Sequence, residues 1–388
     1  MIPFVILFLL VSFGSVSAVL CSPALPEMQQ FFGISVGKTQ FIITSYLIGY
    51  ALGQLPYGPL ANAIGRKKTL YIGLGVSIFG ALLCVSSSFF HSFPLLIVAR
   101  IIQALGACVG LKMSFTMVLD VYDAQTAPRY IARFLIAFAI MPGIATAIGG
   151  LLVQWFAWES CFYFLALFGM VMFGVVARLR ETSSAQDLQE LNWARVFSSY
   201  RKKLQNKPLV LCALIVGSMT GIVYVFAARA PFIGINLLEM SPAMFGVFNC
   251  LPSIGMLLGS FSTVWMMKKV PSARTLMGIG IAGAAFFALC MLLGFVFLSP
   301  SIALLFIPMS LLYIPDAWVF TTGPSLGLMT VRDKSNASAV YNFINIGMAL
   351  LATLFAEKIY PESAVSLPCI MVALFCLVSV LYCFVKEA

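Results

Sequence analysis

Several charged residues lie inside long apolar stretches of this chain, where a charge needs a structural or functional partner. Arg100, Lys112, Arg229 and Asp316 are the candidates for function. A charged side chain at the centre of a membrane helix costs about 2.5–3.5 kcal/mol on insertion scales, so such residues normally face a bundle interior or a wet cavity. The chemistry they can do is proton binding and recognition of a charged ligand.

Asp316 is the deepest acid in the chain, and it directly follows Pro315. Burial disfavours the charged form of a carboxyl group, so a buried acid can take up and release a proton during a conformational cycle. The alternative is a structural hydrogen bond to helix backbone freed by the proline. We predict a proton-coupling role for Asp316.

The buried cations allow two interpretations each. Arg100 contacts substrate or takes part in proton coupling, or else it pairs with backbone carbonyls. Lys112, further along the same apolar run, selects an anionic substrate, or else its ammonium reaches the membrane edge. For Arg229, an interfacial anchor is favoured over substrate contact. We predict coupling for Arg100 and substrate contact for Lys112.

Aromatic and amide side chains within the apolar runs are further candidates for substrate binding. Amides in apolar helices need a partner, which another helix supplies as well as a substrate does. Most aromatic residues in such a chain pack against helices or lie at the membrane interface. The substrate-binding candidates are Tyr46, Tyr224, Tyr313, Asn249 and Asn342.

Enzyme chemistry is not expected. The single histidine, His91, lies in a short loop and is predicted to be solvated. The sequence has no Cys-x-x-Cys pair, nucleophile elbow or phosphate-binding glycine loop. The ten cysteines have no framework spacing, so we expect no metal, cofactor or catalytic residue.

Composition identifies the medium that must hold these residues. Hydrophobic residues make up 61% of the 388 residues and charged residues 9%, against roughly 45–50% and 25% in soluble domains. A membrane helix needs about 20 apolar residues. The sequence therefore predicts an all-α integral membrane protein with twelve transmembrane helices. The apolar runs are 3–22, 38–58, 69–90, 93–120, 130–153, 158–178, 208–230, 242–267, 274–297, 301–329, 335–356 and 364–385.

The distribution of positive charge predicts the topology. Most of the 23 Lys and Arg residues fall in loops on one side, and only Lys38 and Lys358 fall in loops on the other. Loops rich in Lys and Arg stay in the cytoplasm, so both termini are predicted to be cytoplasmic. The net charge of +10 follows from these loops and does not indicate nucleic-acid binding.

One long polar stretch divides the chain. We predict an N-terminal six-helix half at 1–178, a cytoplasmic linker at 179–207 and a C-terminal six-helix half at 208–388. A faint repeat agrees: Gly58 and the basic run from Arg66 are echoed by Gly259 and the pair Lys268-Lys269.

Several motifs resemble those of the major facilitator superfamily. The loop Gly58-Pro-Leu-Ala-Asn-Ala-Ile-Gly65-Arg66-Lys67-Lys68 resembles the signature between helices 2 and 3. Arg100-Ile-Ile-Gln-Ala-Leu-Gly-Ala resembles the helix 4 signature. Pro142-Gly143 with Gly149-Gly150 resembles part of the antiporter signature on helix 5. The segments around Tyr46, Ala230-Pro231, Ser241-Pro242, Pro315-Asp316 and Asn336 resemble the bicyclomycin-resistance (Bcr/CflA) branch of drug/proton antiporters.

This resemblance implies a fold and an activity. The fold is two six-helix halves with a substrate path between them. The activity is secondary active transport by alternating access, as proton-coupled efflux of drug-like or amphipathic compounds across the bacterial inner membrane by a monomer. The partners are a small-molecule substrate, protons and lipid. The implied conformational latch comprises Gly58, Asn62, Gly65, Arg66, Lys67 and Asp120, and we expect Asp120 to contact Arg129 or Arg133.

Two departures from the family pattern keep alternatives open. Asn62 replaces the acid of the loop signature, and Val19 occupies the place of an acid in helix 1 that would carry the proton. A transporter for uptake or exchange of a small anionic metabolite would suit the buried cations. A membrane receptor without transport, on the same scaffold, is the third possibility.

Overall fold

In the computed structural model, residues 4–123, 126–183, 193–329, 331, 334–359 and 363–385 are described, and their regular structure is helical throughout. The helices before the linker are α1 (Phe4–Val19), α2 (Leu25–Phe32), α3 (Val36–Gly53), α4 (Tyr57–Ile64), α5 (Arg66–Phe89), α6 (Phe93–Ala107), α7 (Val109–Val121), α8 (Ala127–Trp155) and α9 (Glu159–Val176). The remaining helices are α10 (Trp193–Leu204), α11 (Lys207–Pro231), α12 (Pro242–Phe248), α13 (Cys250–Lys269), α14 (Ala273–Phe297), α15 (Ile302–Met329), α16 (Lys334–Lys358) and α17 (Ser366–Cys383).

Eleven helical segments of the described chain are long and apolar enough to cross a membrane. A twelfth, α3, has 18 residues and so a length of about 27 Å. It is less apolar because Lys38, Thr39 and Gln40 lie in its first two turns. With α3 included, the twelve predicted spans are present. Unlike the prediction, the linker also contains a helix, α10.

Several spans are broken into two helical pieces. The first consists of α1 and α2, which are joined by a 3₁₀ turn at Ser22–Ala24. Pro23 and Pro26 have no backbone N–H to continue the α-helical ladder, which explains the break. The fourth span joins α6 to α7 at Cys108, and the eighth joins α12 to α13 at Asn249. Such breaks leave backbone carbonyls without helical partners.

Side-chain contacts show which helix ends share a face. The start of α1 meets the start of α8, since the rings of Phe4 and Phe134 stack at 5.7 Å. The end of α17 meets the start of α14, where the Tyr382 hydroxyl donates to the Arg274 carbonyl at 3.1 Å. The two halves meet on this side, where the Tyr200 hydroxyl of α10 donates to the Leu55 carbonyl, just after α3, at 3.0 Å. We call this side the basic face, because it carries Arg66, and we call the other the opposite face.

The core consists of two hydrophobic clusters. One is built mainly from α1–α9 and the other mainly from α10–α17. The first cluster also includes Ala228, Phe232, Ile346 and Ala349 from the second half, which mark the contact between the halves. The boundaries at residues 178 and 208 stay a prediction.

Glycine contacts show how the two halves repeat. A Cβ on Gly49 would lie 2.2 Å from the Ile101 carbonyl oxygen, and one on Gly53 lies 3.0 Å from that of Leu105. In the second half, Gly255 and Gly259 approach the carbonyls of Ser310 and Ile314 in the same way, at 2.0 and 2.2 Å. Small residues four apart let membrane helices pack this closely.

These contacts correct the predicted register of the repeat. Gly259 matches Gly53, and not Gly58. Arg66 is the first residue of α5, whereas Lys268 and Lys269 are the last residues of α13. The basic pair is therefore not the counterpart of the basic run that begins at Arg66.

Candidate functional site

Asp316 is completely buried, with 0% of its surface exposed. Within the described part of the chain, neither of its carboxyl oxygens has a hydrogen-bond partner. Helical periodicity places it on the same side of α15 as Gly323, whose position abuts Val216 of α11 and Tyr341 of α16. A carboxyl group with no donor around it pays the full cost of lost hydration when it ionises.

Tyrosines connect the surroundings of Asp316 with those of Arg100. Tyr313, one turn before Asp316, is buried near both Asp316 and Tyr224. Tyr224 of α11 lies near Arg100 in the other half, and the Tyr46 ring lies 4.4 Å from the Arg100 guanidinium. The structure thus brings five of the predicted site residues into one region between the halves.

The Arg100 guanidinium is buried and well satisfied. It donates to the carbonyls of Ser17 and Ala18 at 3.0 and 3.2 Å, to that of Ile42 at 3.4 Å and to the Gln103 side chain at 2.7 Å. Ser17 and Ala18 are in the last turn of α1, where helical carbonyls have no intrahelical partner. Arg100 therefore caps the broken first span with its positive charge, as the helix dipole favours.

The ring of Tyr46 supports this cap. It lies 4.4 Å below the Arg100 guanidinium, and its hydroxyl donates to the Gly14 carbonyl at 2.8 Å. Val19 is the buried last residue of α1, so the place of the missing family acid lies beside the capped turn. The Tyr46 hydroxyl is therefore already bonded to a backbone carbonyl.

Two other cations, the half-buried Lys112 and the buried Arg229, also donate to helix ends. The Lys112 ammonium donates to the carbonyl of Gln54, the C-cap residue of α3, at 2.9 Å. The Arg229 guanidinium donates to the carbonyl of Ile359 at 2.7 Å, and also to the Ala356 carbonyl and the Ser366 hydroxyl. Ala356 lies in the last turn of α16, so Arg229 closes that helix end inside the second half. Arg229 therefore has a structural role, which the sequence favours over substrate contact. That role is a buried helix cap, and not the interfacial anchor that was expected.

Two residues of the predicted latch, Arg66 and Asp120, form an ion pair on the basic face. Arg66 pairs with Asp120, with Nε 2.9 Å from Oδ2 and Nη2 3.4 Å from Oδ1. Its Nη1 also donates to the Ala61 carbonyl at 2.9 Å, which caps α4. Two-point contact between a guanidinium and a carboxylate fixes geometry better than a single contact does. These contacts join the ends of α4, α5 and α7.

The predicted contact between Asp120 and Arg133 is wrong. The Arg133 guanidinium lies over the rings of Phe4 and Tyr130, at 5.7 and 5.6 Å. The side chain of Arg129 lies outside the described residues. Asp120 instead binds Arg66 and accepts a hydrogen bond from the Thr182 hydroxyl at 2.9 Å.

Sequence reasoning missed Glu181. Its carboxylate accepts hydrogen bonds from the backbone N–H groups of Arg66 and Lys67, both at 3.0 Å, at the start of α5. Burial of this carboxyl acts to raise its pKa, but four backbone N–H donors outweigh burial and hold the pKa below its usual range. The sequence feature that could have indicated Glu181 is its position as an acid shortly after the end of the sixth apolar run.

The two glycines of the predicted latch allow a backbone conformation and a close approach that a side chain would hinder. Gly65 has φ = +94°, a conformation that side chains disfavour, and it separates α4 from α5. A Cβ on Gly58 would lie 2.9 Å from the Lys112 ammonium nitrogen. Asn62 is half-buried in α4, and the Lys67 ammonium donates to the Ala177 carbonyl beyond α9 at 2.9 Å.

Asn249 and Asn342 are half-buried and lie apart along the chain. Asn249 occupies the break between α12 and α13, close to where Gly143 of α8 meets Cys250. Asn342 lies in α16, one turn before Asn345, whose side-chain oxygen accepts a hydrogen bond from Thr220 at 2.7 Å. Both stay candidates for substrate contact.

The halves contact one another closely towards the opposite face. A Cβ on Gly150 of α8 would lie 2.3 Å from the Pro242 carbonyl oxygen, and one on Gly246 of α12 would lie 2.6 Å from that of Thr146. The Gln154 side chain accepts from the Ala243 N–H at 3.1 Å. Interhelical packing therefore closes this side.

A membrane bundle of two repeated halves with ionisable groups between them defines a transporter scaffold. The family model of the Major Facilitator Superfamily matches residues 6–356. The chain belongs to this superfamily, and it is a transporter and not an enzyme.

Relatives confirm the resemblance to the bicyclomycin-resistance branch. An "Uncharacterized transporter" of Rickettsia felis is 27% identical over 87% of this chain and 85% of its own. "Multidrug resistance protein D" of Escherichia coli is 26% identical over 90% and 87%. A "Bicyclomycin resistance protein homolog" of Haemophilus influenzae is 24% identical over 67% and 65%.

A solved structure confirms the fold. The crystal structure of a D-xylose-proton symporter superposes with a TM-score of 0.77 over 99% of this chain and 97% of its own, at 13% identity. This likeness applies to the arrangement of helices only.

Proposed function

We propose that this protein exports amphipathic compounds in exchange for protons, by alternating access of its two halves. The buried, unpartnered carboxyl of Asp316 carries the proposal. An ion buried at that position has no hydrogen-bond donor, so the carboxyl keeps a proton until movement of the halves exposes it to water. Opening to either side of the membrane then sets when the proton is bound and released.

The choice of substrate class rests on the relatives and on the region between the halves. Two of the relatives carry drug-resistance names. Tyr224 and Tyr313 flank Asp316 with amphipathic rings, which suit compounds that combine apolar surface with a polar group. Asn249 and Asn342 are proposed as adaptable polar contacts.

The anion-transport alternative loses its main support. It depended on Arg100, Lys112 and Arg229 as free cations, but each donates to backbone carbonyls at a helix end. We accordingly propose that Arg100 contributes to coupling through the broken first span that it caps. Lys112 stays a candidate substrate contact, if the end of α3 releases it.

We also propose a membrane orientation. The basic face would lie in the cytoplasm of a bacterial inner membrane, since loops rich in Lys and Arg remain inside. The Arg66–Asp120 pair would then hold α4, α5 and α7 together on the cytoplasmic side while the halves rock. We expect a monomer to be sufficient for transport.

Reconstitution into proteoliposomes tests the proposal. With tetraphenylphosphonium as an amphipathic probe, an imposed pH gradient should drive accumulation by the wild type. Asp316→Asn should abolish this response, a loss of at least about tenfold, which corresponds to about 1.4 kcal/mol. Exchange of probe across the membrane without a gradient should persist in Asp316→Asn, because the fold and the binding region remain.

Asp316→Glu is the matched control, since it keeps an ionisable group and should retain part of the gradient response. If Asp316→Asn transports against a pH gradient as the wild type does, proton coupling through this residue is wrong. If an organic anion such as succinate moves independently of the pH gradient and the amphipathic probe does not, the anion alternative is correct.

A further inference from the structure

A polar cluster joins the two halves towards the opposite face, away from Asp316. The hydroxyl of Thr44, on α3 of the first half, donates to the carboxyl of Glu357, on α16 of the second half. Thr44 is completely buried, and Glu357 is half-buried. This is a direct side-chain hydrogen bond between the halves.

Gln40 extends this cluster. It lies one turn before Thr44, with 1% of its surface exposed, and neither its amide nitrogen nor its amide oxygen has a partner among the described residues. The Thr44 hydroxyl also lies 3.4 Å from the Gln40 carbonyl. At 100° per residue, Gln40 and Thr44 lie on the side of α3 opposite Gly49, whose position abuts α6. They therefore face α16.

Glu357 is accessible from outside the membrane core. It lines a cavity of about 660 Å³ together with Lys38, Phe41, Phe93 and Pro94. These residues begin α3 and α6, so the cavity opens towards the opposite face. Water and protons can reach Glu357 by this route without passing Asp316.

The charged groups around Glu357 are few. Lys38 lines the same cavity, and Lys358 is its exposed neighbour on α16. Arg229 of α11 is committed to the carbonyls of Ala356 and Ile359. His91 precedes Phe93 but stacks on Phe31, with ring centroids 4.5 Å apart.

We infer that Glu357 is a second proton-binding residue, which holds the halves together on the opposite face when it is neutral and lets them separate when it is ionised. A neutral carboxyl accepts the Thr44 hydrogen bond without placing a charge in the interface. The ionised form still accepts, but it carries a desolvation cost in the closed interface, which water offsets once the halves separate.

This role extends beyond the proposed coupling at Asp316 and does not depend on which compound is carried. Asp316 would set the exchange of protons for substrate. Glu357 would instead bias the closed state on the opposite face according to the pH on that side. Glu357 is a positioning residue, since it acts through the contact between α3 and α16.

Hydrogen–deuterium exchange of the full chain in lipid nanodiscs tests this inference without a transport assay. After correction for intrinsic exchange, amides of 36–44 and 350–358 in the wild type should exchange several-fold more slowly at about pH 5 than at about pH 9. Glu357→Gln cannot ionise and should stay protected at both pH values. Glu357→Ala should be unprotected at both.

Two controls separate this inference from others. Glu239→Gln changes an exposed acid outside the cluster and should retain the wild-type pH dependence. Asp316→Asn should retain it too, so a failure of proton coupling there leaves this result unaffected. The inference is overturned if the wild type shows no pH dependence in these segments, or if Glu357→Gln keeps it. Glu357→Gln decides the matter even if Glu357→Ala does not fold.

Discussion

At the scale of single residues, the cations of this protein act as caps for helix ends. Arg100, Lys112 and Arg229 each donate to carbonyls in or just after the last turn of a helix. A carbonyl without a partner in a membrane interior costs free energy, and a cation that donates to it also offsets its own burial. Each of these charges is therefore explained by backbone geometry before any substrate is considered.

Glu181 provides the converse case, an anion at a helix start. Because its folded-state pKa lies below its usual value, it stabilises the fold above the ordinary carboxyl range, and the stabilisation is lost as the pH falls through the folded-state pKa. Glu181→Ala should lower the melting temperature at neutral pH, with a cost of about 1 kcal/mol as for other N-terminal caps. The difference from wild type should shrink at acidic pH.

Thermal melting in detergent, followed by intrinsic fluorescence over a pH series, measures this effect. Glu239→Gln, an exposed acid on the opposite face, is the control and should melt like the wild type. A melting difference for Glu181→Ala that stays constant down to strongly acidic pH would show that the carboxylate charge is not responsible.

The sequence predicts where charged residues lie in the membrane better than it predicts what they bind. Apolar periodicity and charge place Arg100, Asp316 and Arg66 within or beside membrane helices, because the bilayer penalises any other arrangement. The hydrogen-bond partners of these residues are harder to predict, because a residue of any type can supply a backbone carbonyl. Arg100 therefore had no visible acceptor in the sequence, and Glu181 lay in a polar stretch without any periodic pattern.

At the scale of elements, broken helices explain where the caps are needed. Pro23 made the break in the first span predictable. The breaks at Cys108 and Asn249 have no such marker, because Cys and Asn tolerate both helix and turn. Repeated close packing by Gly49 and Gly255 fixes α3 against α6 and α13 against α15. Each half thus combines a closely packed helix pair with a break in a neighbouring or adjoining helix.

Removal of a cap should destabilise one half only. Arg229→Met leaves the carbonyls of Ala356 and Ile359 buried without a donor, at about 1–3 kcal/mol for each lost partner. We expect its melting temperature to fall clearly below that of Arg229→Lys, whose ammonium can still reach one carbonyl. Arg133→Met removes an exposed cation as the control, and equal melting of Arg229→Met and Arg133→Met would refute the capping role.

At the scale of the whole molecule, two of the contacts that hold the halves together towards the opposite face differ in kind. One is the hydrogen bond between Thr44 and Glu357, and the other is the packing of α8 against α12. The hydrogen bond responds to protons, whereas the packing is steric. A transporter that alternates must break both when it opens on this face.

The steric contact can be changed without any change of charge. Gly150→Ala would place a methyl carbon about 2.3 Å from the Pro242 carbonyl oxygen, and because that atom belongs to the backbone, α8 and α12 must move apart. Gly150→Ala should therefore favour the state open on the opposite face, with faster deuterium exchange around Ala243. Gly75→Ala is the matched control, since nothing lies within 4 Å of its added carbon. Unchanged exchange near Ala243 in Gly150→Ala would mean that the halves are not held together by this contact.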